Sequence, residues 1–154
     1  MERIALFTGT FDPFTIGHQN IVERALPLFD KIVISVAVSN LKHAQEKIDS
    51  RVSQIKALYK DNPAIEVESY SDLTIDLAKR KNARFIVRGV RSVKDFEYER
   101  EQAEFNKRMG GLETILLFAE PGLASISSTL VRELKYFGRD VSEFLPAGST
   151  VSEE

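Results

Sequence analysis

Five short, continuous apolar runs rich in β-branched residues recur along the chain, and longer amphipathic segments separate them. Runs of this kind are typical of strands buried on both faces of a parallel sheet. The predicted strands are Arg3–Phe7, Lys31–Val38, Ile65–Ser69, Arg84–Arg88 and Glu113–Phe118. Alternation of strand and helix five times over predicts right-handed crossovers within one sheet.

The segments between the strands have the period of amphipathic helices. The predicted helices are Gly17–Phe29, Ser50–Tyr59, Ser71–Lys81, Ser92–Met109 and Ser127–Phe137. Pro27 should kink or end the first helix, Ser71 should cap the third, and Ser92 opens a capping-box pattern, Ser-Val-Lys-Asp. The sequence therefore predicts a single-domain, Rossmann-like, doubly wound α/β fold with a five-stranded parallel sheet.

The length of 154 residues suits one domain with a single core. We find no internal repeat, low-complexity segment or interdomain linker. We expect the domain to span residues 1–146, and the small, polar residues 147–154 to form a loose tail.

Composition excludes several kinds of function. A net charge of −2 gives no overall basic field, so no nucleic-acid partner is expected. The absence of cysteine excludes thiol nucleophiles, zinc–thiolate sites and disulfides. The chain has no leader-like start, and no apolar run approaches the roughly 18 residues of a membrane span. We therefore expect no membrane partner and a cytoplasmic location.

Glycines, hydroxyls and cations gather after the predicted strands, where an open α/β sheet binds its ligands. The first of these segments is TGTFDPFTIGH, residues 8–18. Gly9 and Gly17 permit close backbone approach, and a helix N-terminus offers unpaired N–H groups to phosphate. The ring of His18 could share an anion with those amides. A turn-rich connection with an incidental capping histidine explains the same residues. Neither a Walker A loop nor a GxGxxG fingerprint is present.

Two motifs about a hundred residues apart sharpen this interpretation. Thr15-Ile16-Gly17-His18 resembles the (H/T)xGH motif of the nucleotidyltransferase superfamily, and the ISSTxxR pattern at 126–132 resembles its second signature. GTFDPxTxGH, Lys42, SDL at 71–73, RGVR at 88–91 and DFEYE at 95–99 follow in order. Together they resemble bacterial phosphopantetheine adenylyltransferases, as far as about Pro146. That family transfers AMP from ATP to 4′-phosphopantetheine and releases dephospho-coenzyme A and pyrophosphate.

The resemblance implies a role for each matching residue. His18 corresponds to a transition-state stabiliser, with Lys42 and Arg91 as catalytic cations. The acceptor side comprises Thr10, Lys42, Thr74 and Arg88. The ATP side comprises Thr10, Phe11, His18, Gly89, Val90, Arg91, Glu99, Leu123, Ala124, Ser125, Ile126, Ser127, Ser128 and Thr129.

Some of these residues also have simpler explanations. Arg88 could form an ion pair at the end of the sheet, Glu99 could belong to a solvated helix face, and Val90 is expected to pack, with only its backbone near nucleotide. The chain also departs from the family. Leu123 stands where an aromatic is frequent, which leaves adenine stacking open, and residues 43–46 lack the usual proline and phenylalanine.

The implied chemistry needs few protein groups. The attacking phosphate is largely ionised near neutral pH, so no general base is required. Catalysis then depends on holding two polyanions in line and stabilising charge at the α-phosphorus. No dense carboxylate cluster marks a protein metal site, so we expect Mg²⁺ to be held mainly by ATP phosphates and water.

Two other functions stay open from the residues. One is the same chemistry on another acceptor, such as nicotinate or nicotinamide mononucleotide, or a cytidylyltransferase reaction. The other is a non-catalytic nucleotide-binding module. The resemblance further implies a homohexamer and coenzyme A as a feedback inhibitor.

Overall fold

A parallel five-stranded sheet with the order β3-β2-β1-β4-β5 forms the centre of the protein. The computed structural model describes residues 1–38 and 45–149. The strands are β1 (Ile4–Gly9), β2 (Lys31–Ala37), β3 (Ile65–Tyr70), β4 (Phe85–Val90) and β5 (Glu113–Phe118). The helices are α1 (Ile16–Ala25), α2 (Gln45–Leu58), α3 (Thr74–Lys81), α4 (Val93–Gly110) and α5 (Ser128–Tyr136). The predicted fold class is confirmed.

Apolar side chains lie on both faces of the sheet, as the continuous strand pattern requires. The larger core cluster includes Phe7, Val22, Ile34 and Ile55, and packs α1 and α2 against one face. The smaller cluster includes Leu6 and packs α3 against the other face. None of the helices in the described ranges is long and apolar enough to cross a membrane.

Element boundaries differ from the sequence predictions mainly at helix starts. The helix α2 begins at Gln45, five residues before its predicted start. The predicted Ser71 cap of α3 is wrong, because that helix starts at Thr74 and its N-cap residue, Leu73, makes no side-chain capping bond. The carboxylate of Asp72 instead pairs with the guanidinium of Arg80 later in α3, which fixes the turn before the helix.

Two other boundary signals are fulfilled at least in part. The helix α1 ends at Ala25, and the 3-10 turn Leu26–Leu28 contains Pro27. At α4 the hydroxyl of Ser92 accepts from the Asp95 N–H at 3.2 Å. The second half of the predicted capping box is absent, because the Asp95 carboxylate accepts from the Arg91 N–H at 3.0 Å.

The sheet opens between β1 and β4, where the strand order reverses. These strands pair at only three positions, from Ala5 with Phe85 to Phe7 with Val87. Beyond Phe7, β1 continues to pair with β2, while β4 continues beside β5. A cleft at the carboxyl ends of the two central strands follows from this divergence, at the position where doubly wound sheets bind ligands.

Candidate active site

Two cavities open at this cleft and share one wall. The first has a volume of about 370 Å³ and contains His18, Arg91 and the start of α5. The second has a volume of about 340 Å³ and contains Tyr70, Thr74 and one face of α4. Residues that line both are Thr8, Gly9, Thr10, Arg88, Tyr98 and Glu99. We call them the His18 cavity and the Thr74 cavity. Two ligands bound there would meet at this wall.

A buried ion pair forms the centre of the shared wall. The Arg88 guanidinium donates to Glu99 through Nη2 at 2.7 Å and through Nε at 3.0 Å to each carboxylate oxygen. Its Nη1 also donates to the carbonyl and hydroxyl of Thr8, and so bridges the gap between β4 and β1. Glu99 is only 5% exposed, so it does not belong to a solvated helix face. Arg88 therefore forms the ion pair at the sheet end that was its simpler explanation.

His18 takes part in a reciprocal capping box at the start of α1. Its Nδ1 accepts from the Thr15 N–H at 2.9 Å, while the Thr15 hydroxyl accepts from the His18 N–H at 3.4 Å. With Nδ1 acting as an acceptor, the neutral ring carries its proton on Nε2. One ring nitrogen is therefore bonded to the cap, and the anion site made of the Nε2–H and the α1 amides stays a prediction.

The environment keeps the His18 ring neutral. Burial, with smaller effects from the positive charges of Arg88 and Arg91, lowers the pKa of His18 to about 4. The ring is thus a neutral hydrogen-bond donor at neutral pH. Its Nδ1 serves the helix cap, while its Nε2–H can donate to a ligand.

Aromatic rings fix the orientation of the imidazole. Phe14 stacks on His18 at a centroid distance of 5.4 Å, and Phe11 meets it edge-on at 5.0 Å. Phe11 has φ of 48° and is 2% exposed, so its backbone is held in the left-handed region to bury its ring. A Cβ on Gly9 would lie 3.0 Å from that ring, which explains the glycine. A Cβ on Gly17 would make only ordinary contacts, so close packing within the protein does not require glycine there.

The loop after β4 is tied to the first turn of α4. The Asp95 carboxylate accepts from both the backbone N–H and the Nε of Arg91, the latter at 3.2 Å. This link presents Arg91 on the wall of the His18 cavity. Val90 is buried, as its expected packing role requires, and its carbonyl accepts from the Ala119 N–H.

The start of α5 offers backbone N–H groups to an anion in the His18 cavity, because its hydroxyls are engaged within the protein. The Ser127 hydroxyl caps the helix through the Leu130 N–H at 3.1 Å. The Ser128 hydroxyl donates to the Pro13 carbonyl at 2.7 Å, and the Thr129 hydroxyl accepts from Arg132 at 3.2 Å. The first-turn N–H groups, which a helix cannot satisfy internally, therefore remain the main anion donors here.

Most residues implied by the resemblance line one of the two cavities. The His18 cavity contains Thr10, Phe11, His18, Gly89, Arg91, Glu99, Leu123, Ile126, Ser127, Ser128 and Thr129. The Thr74 cavity contains the acceptor-side residues Thr10, Thr74 and Arg88. Val90, Ala124 and Ser125 line neither cavity. Lys42 lies outside the described residues.

Sequence reasoning missed the part of the Thr74 cavity that α4 and β5 supply. Gln102, Ala103 and Asn106 follow Tyr98 and Glu99 at helical spacing, so the i, i+4 periodicity from the DFEYE motif could have found them. Thr114 on β5 also lines this cavity, and its hydroxyl is buried without a hydrogen-bond partner. No motif signals that residue.

Two carboxylates of the site are paired with cations, and within residues 1–38 and 45–149 no group of three metal-ligating side chains comes together. Glu99 holds Arg88, and Asp95 holds Arg91. The expectation that Mg²⁺ is held mainly by ATP phosphates and water stays a prediction.

Comparison with known proteins identifies the family. The cytidylyltransferase-like family matches residues 6–134. The chain belongs to this family. Among its curated relatives, the phosphopantetheine adenylyltransferase of Bacteroides thetaiotaomicron is 52% identical over 97% of this chain and 99% of the relative. Those of Porphyromonas gingivalis and Cytophaga hutchinsonii are 48% and 42% identical over 96% and 95% of this chain, and over 96% and 98% of the relatives.

Solved structures agree in fold. A bifunctional NMN adenylyltransferase/ADP ribose pyrophosphatase from Francisella tularensis superposes with a TM-score of 0.69 at 18% identity, over 94% of this chain and 45% of that one. The same protein complexed with AMP and a manganese ion gives 0.68 at 17% identity, over 97% and 46%. The chain thus spans less than half of those structures, which support its fold alone. The relatives confirm the resemblance drawn from the motifs, and this cytidylyltransferase-like protein is a nucleotidyltransferase enzyme.

Proposed function

We propose that the chain transfers AMP from ATP to 4′-phosphopantetheine, giving dephospho-coenzyme A and pyrophosphate. The single observation that carries this proposal is the pair of cavities that share the wall around Arg88. A two-substrate transfer needs two binding sites with one common boundary. The names of the relatives identify the two substrates.

The His18 cavity suits the nucleotide. It combines the first-turn amides of α5 with Arg91, both of which attract the phosphates of ATP. Leu123 lies on its wall and offers an aliphatic surface to the adenine in place of an aromatic ring. The Thr74 cavity suits the acceptor, because Gln102 and Asn106 present amide side chains to a ligand that is itself rich in amides.

The reaction proposed is a direct displacement. A phosphate oxygen of the acceptor bonds to the α-phosphorus of ATP, and the bond from that phosphorus to the bridging oxygen breaks. Pyrophosphate leaves with the bonding electron pair. No covalent enzyme intermediate and no proton abstraction are needed, since the acceptor phosphate is already largely ionised.

His18 would stabilise the charge that develops on the α-phosphate oxygens. Its Nε2–H is a donor held in place by the Thr15 bond and the Phe14 stack, so it needs no reorganisation during the reaction. Arg91 and Lys42 would offset the repulsion between the two polyanions. All three nitrogens of the Arg88 guanidinium donate to Glu99 or Thr8, and the acceptor phosphate would meet the second N–H of Nη2.

Mg²⁺, held mainly by the ATP phosphates and water, would supply neutralisation of phosphate charge. Removal of free Mg²⁺ with EDTA should abolish turnover and leave the thermal unfolding temperature unchanged, because the protein itself is not expected to hold the ion. An unfolding temperature that falls with EDTA would indicate a resident metal.

We further propose a homohexamer, inhibition by coenzyme A, and a cytoplasmic location. Exposed apolar side chains on α4, including Val93, Phe96 and Met109, favour association between copies. Light scattering after size-exclusion chromatography tests the hexamer. Initial rates with added coenzyme A, at several concentrations of acceptor, test inhibition.

One assay distinguishes the proposed reaction from its alternatives. The protein is mixed with ATP, Mg²⁺ and 4′-phosphopantetheine, and dephospho-coenzyme A is sought by mass spectrometry while pyrophosphate is measured. Parallel reactions use nicotinate mononucleotide, nicotinamide mononucleotide or CTP. Product only with another acceptor or nucleotide would contradict the substrate assignment. ATP binding without pyrophosphate release from any mixture would indicate a binding module.

A further inference from the structure

Arg51 on α2 reaches the back of the loop that carries Thr10 and Phe11. Its Nη1 donates to the Thr10 carbonyl at 3.0 Å, and its Nη2 lies 3.4 Å from the Asp12 carboxylate. The side chain is 13% exposed. One guanidinium thus holds the residues on both sides of Phe11.

This arginine does not contact either site cavity. It lines a separate cavity of about 360 Å³ between α2 and α5, behind Phe11 and Asp12. Any influence of Arg51 on the reaction must therefore pass through the loop that it holds.

The loop transmits position to the catalytic ring. Phe11 adopts a backbone conformation that non-glycine residues rarely take, so something must stabilise it. Its ring then meets His18 edge-on at 5.0 Å and Phe7 at 5.1 Å. Loss of the hydrogen bond to the Thr10 carbonyl would shift Phe11, and the ring of Phe11 contacts the His18 imidazole. The position of the imidazole would therefore change as well.

We propose that Arg51 is a positioning residue for the adenylyl transfer, which keeps the His18 donor in place through Phe11. The inference depends on the proposed function only in that AMP transfer is the reaction measured. Misplacement of a catalytic group by about 1 Å costs on the order of 10²-fold in rate. A lysine cannot replace both arms of the fork, so Arg51→Lys should recover only part of the loss.

A double-mutant cycle on kcat tests the proposal. Arg51→Ala should lower kcat by about 10- to 100-fold in the wild-type background, but by less than about 3-fold in a His18→Ala background, because the ring it positions is already gone. The KM for ATP should change by less than about 3-fold in both cases. Added guanidinium should restore part of the kcat of Arg51→Ala and none in the double variant.

Lys81→Ala serves as the matched control. Lys81 links the end of α3 to Glu66 and Glu68 on β3, away from both site cavities, so its loss should lower thermal stability without changing kcat. If Arg51→Ala does not fold, the same cycle is run with Arg51→Lys. A loss of kcat that occurs only where His18 is present would then carry the same meaning.

Three results would overturn the inference: a wild-type kcat in Arg51→Ala or, where that variant does not fold, in Arg51→Lys; equal losses with and without His18; or no response to guanidinium. Absence of dephospho-coenzyme A from the wild-type reaction would instead contradict the proposed function, so the two failures are distinguishable.

Discussion

The two cavities that share the Arg88 wall are built in different ways. The His18 cavity is lined by three connections and the helix starts that follow them: the glycine-containing loop into α1, the loop after β4 and the first turn of α5. The Thr74 cavity is lined along one side by a helix face, residues 98, 99, 102, 103 and 106 of α4, with Thr114 of β5 beside it. Charge recognition can use fixed amides and a few cations, whereas recognition of a neutral arm requires individual side chains. Substitutions in the His18 cavity, in the Thr74 cavity and in the wall between them should therefore change different kinetic quantities.

The shared wall should give the largest effect. Glu99→Ala removes the buried carboxylate that holds the half-buried Arg88, and loss of one partner of such a pair costs about 3 kcal/mol of folding free energy. Urea unfolding measures this loss, and the KM values of both substrates should rise together. Glu99→Gln is the control, since it keeps hydrogen-bonding atoms and should lose less. An effect on only one substrate would contradict a common wall.

His18→Ala should affect the chemical step alone. Loss of one preorganised donor costs about 3–4 kcal/mol, or 10²–10³ in kcat. The KM for ATP and for the acceptor should change little, because the ring is assigned to the transition state. Steady-state kinetics at neutral pH measures all three values. A variant that retained the wild-type kcat would show that the assigned role of His18 is wrong.

The low pKa of His18 makes stability dependent on pH. Since its pKa is about 4 in the folded protein and 6.5 when unfolded, the unfolded chain binds more protons between these values. The contribution is complete above pH 6.5 and is lost as pH falls towards 4. Between pH 7.5 and 5.0 the wild type should lose about 2 kcal/mol more than His18→Gln. Equal losses in urea unfolding would contradict the lowered pKa.

Asn106→Ala should change only the acceptor side. The loss of one hydrogen bond to the bound arm should raise the acceptor KM by roughly 5- to 10-fold, or about 1 kcal/mol, without changing the KM for ATP. Glu104→Ala, on the exposed face of the same helix, is the control. A rise in the KM for ATP would mean that the cavities are assigned to the wrong substrates.

The smallest effect concerns two buried hydroxyls without partners, those of Thr114 and Tyr59. Burial and the nearby Glu23 also raise the pKa of Tyr59. Tyr59→Phe and Thr114→Val should each stabilise the protein by up to about 1 kcal/mol, as seen in thermal unfolding. Only Thr114→Val should also raise the acceptor KM, because only Thr114 lines a site cavity. The same acceptor KM in both variants would show that Thr114 does not take part in acceptor binding.

The difference between the cavities also explains how far sequence reasoning reached. The sheet, its four crossovers and the His18 cavity were predictable, because continuous strands and loop motifs are local patterns. The Thr74 cavity was only partly predictable, since its shape depends on which face of α4 turns towards β5. An ion pair of Arg88 was one of the alternatives, but the partner of each charged side chain was not predictable. Nothing local in the sequence joins Arg88 to Glu99, or Arg51 to Thr10 across 41 positions.

The bond from the Ser128 hydroxyl to the Pro13 carbonyl joins segments 115 positions apart. A ribosome-bound chain will therefore have made its glycine–histidine segment long before the partner for that segment exists. Until α5 has been synthesised and has docked, the early segment lacks this anchor and the phosphate-facing amides opposite it. Adenylyl transfer thus becomes possible only after α5 has emerged from the ribosome.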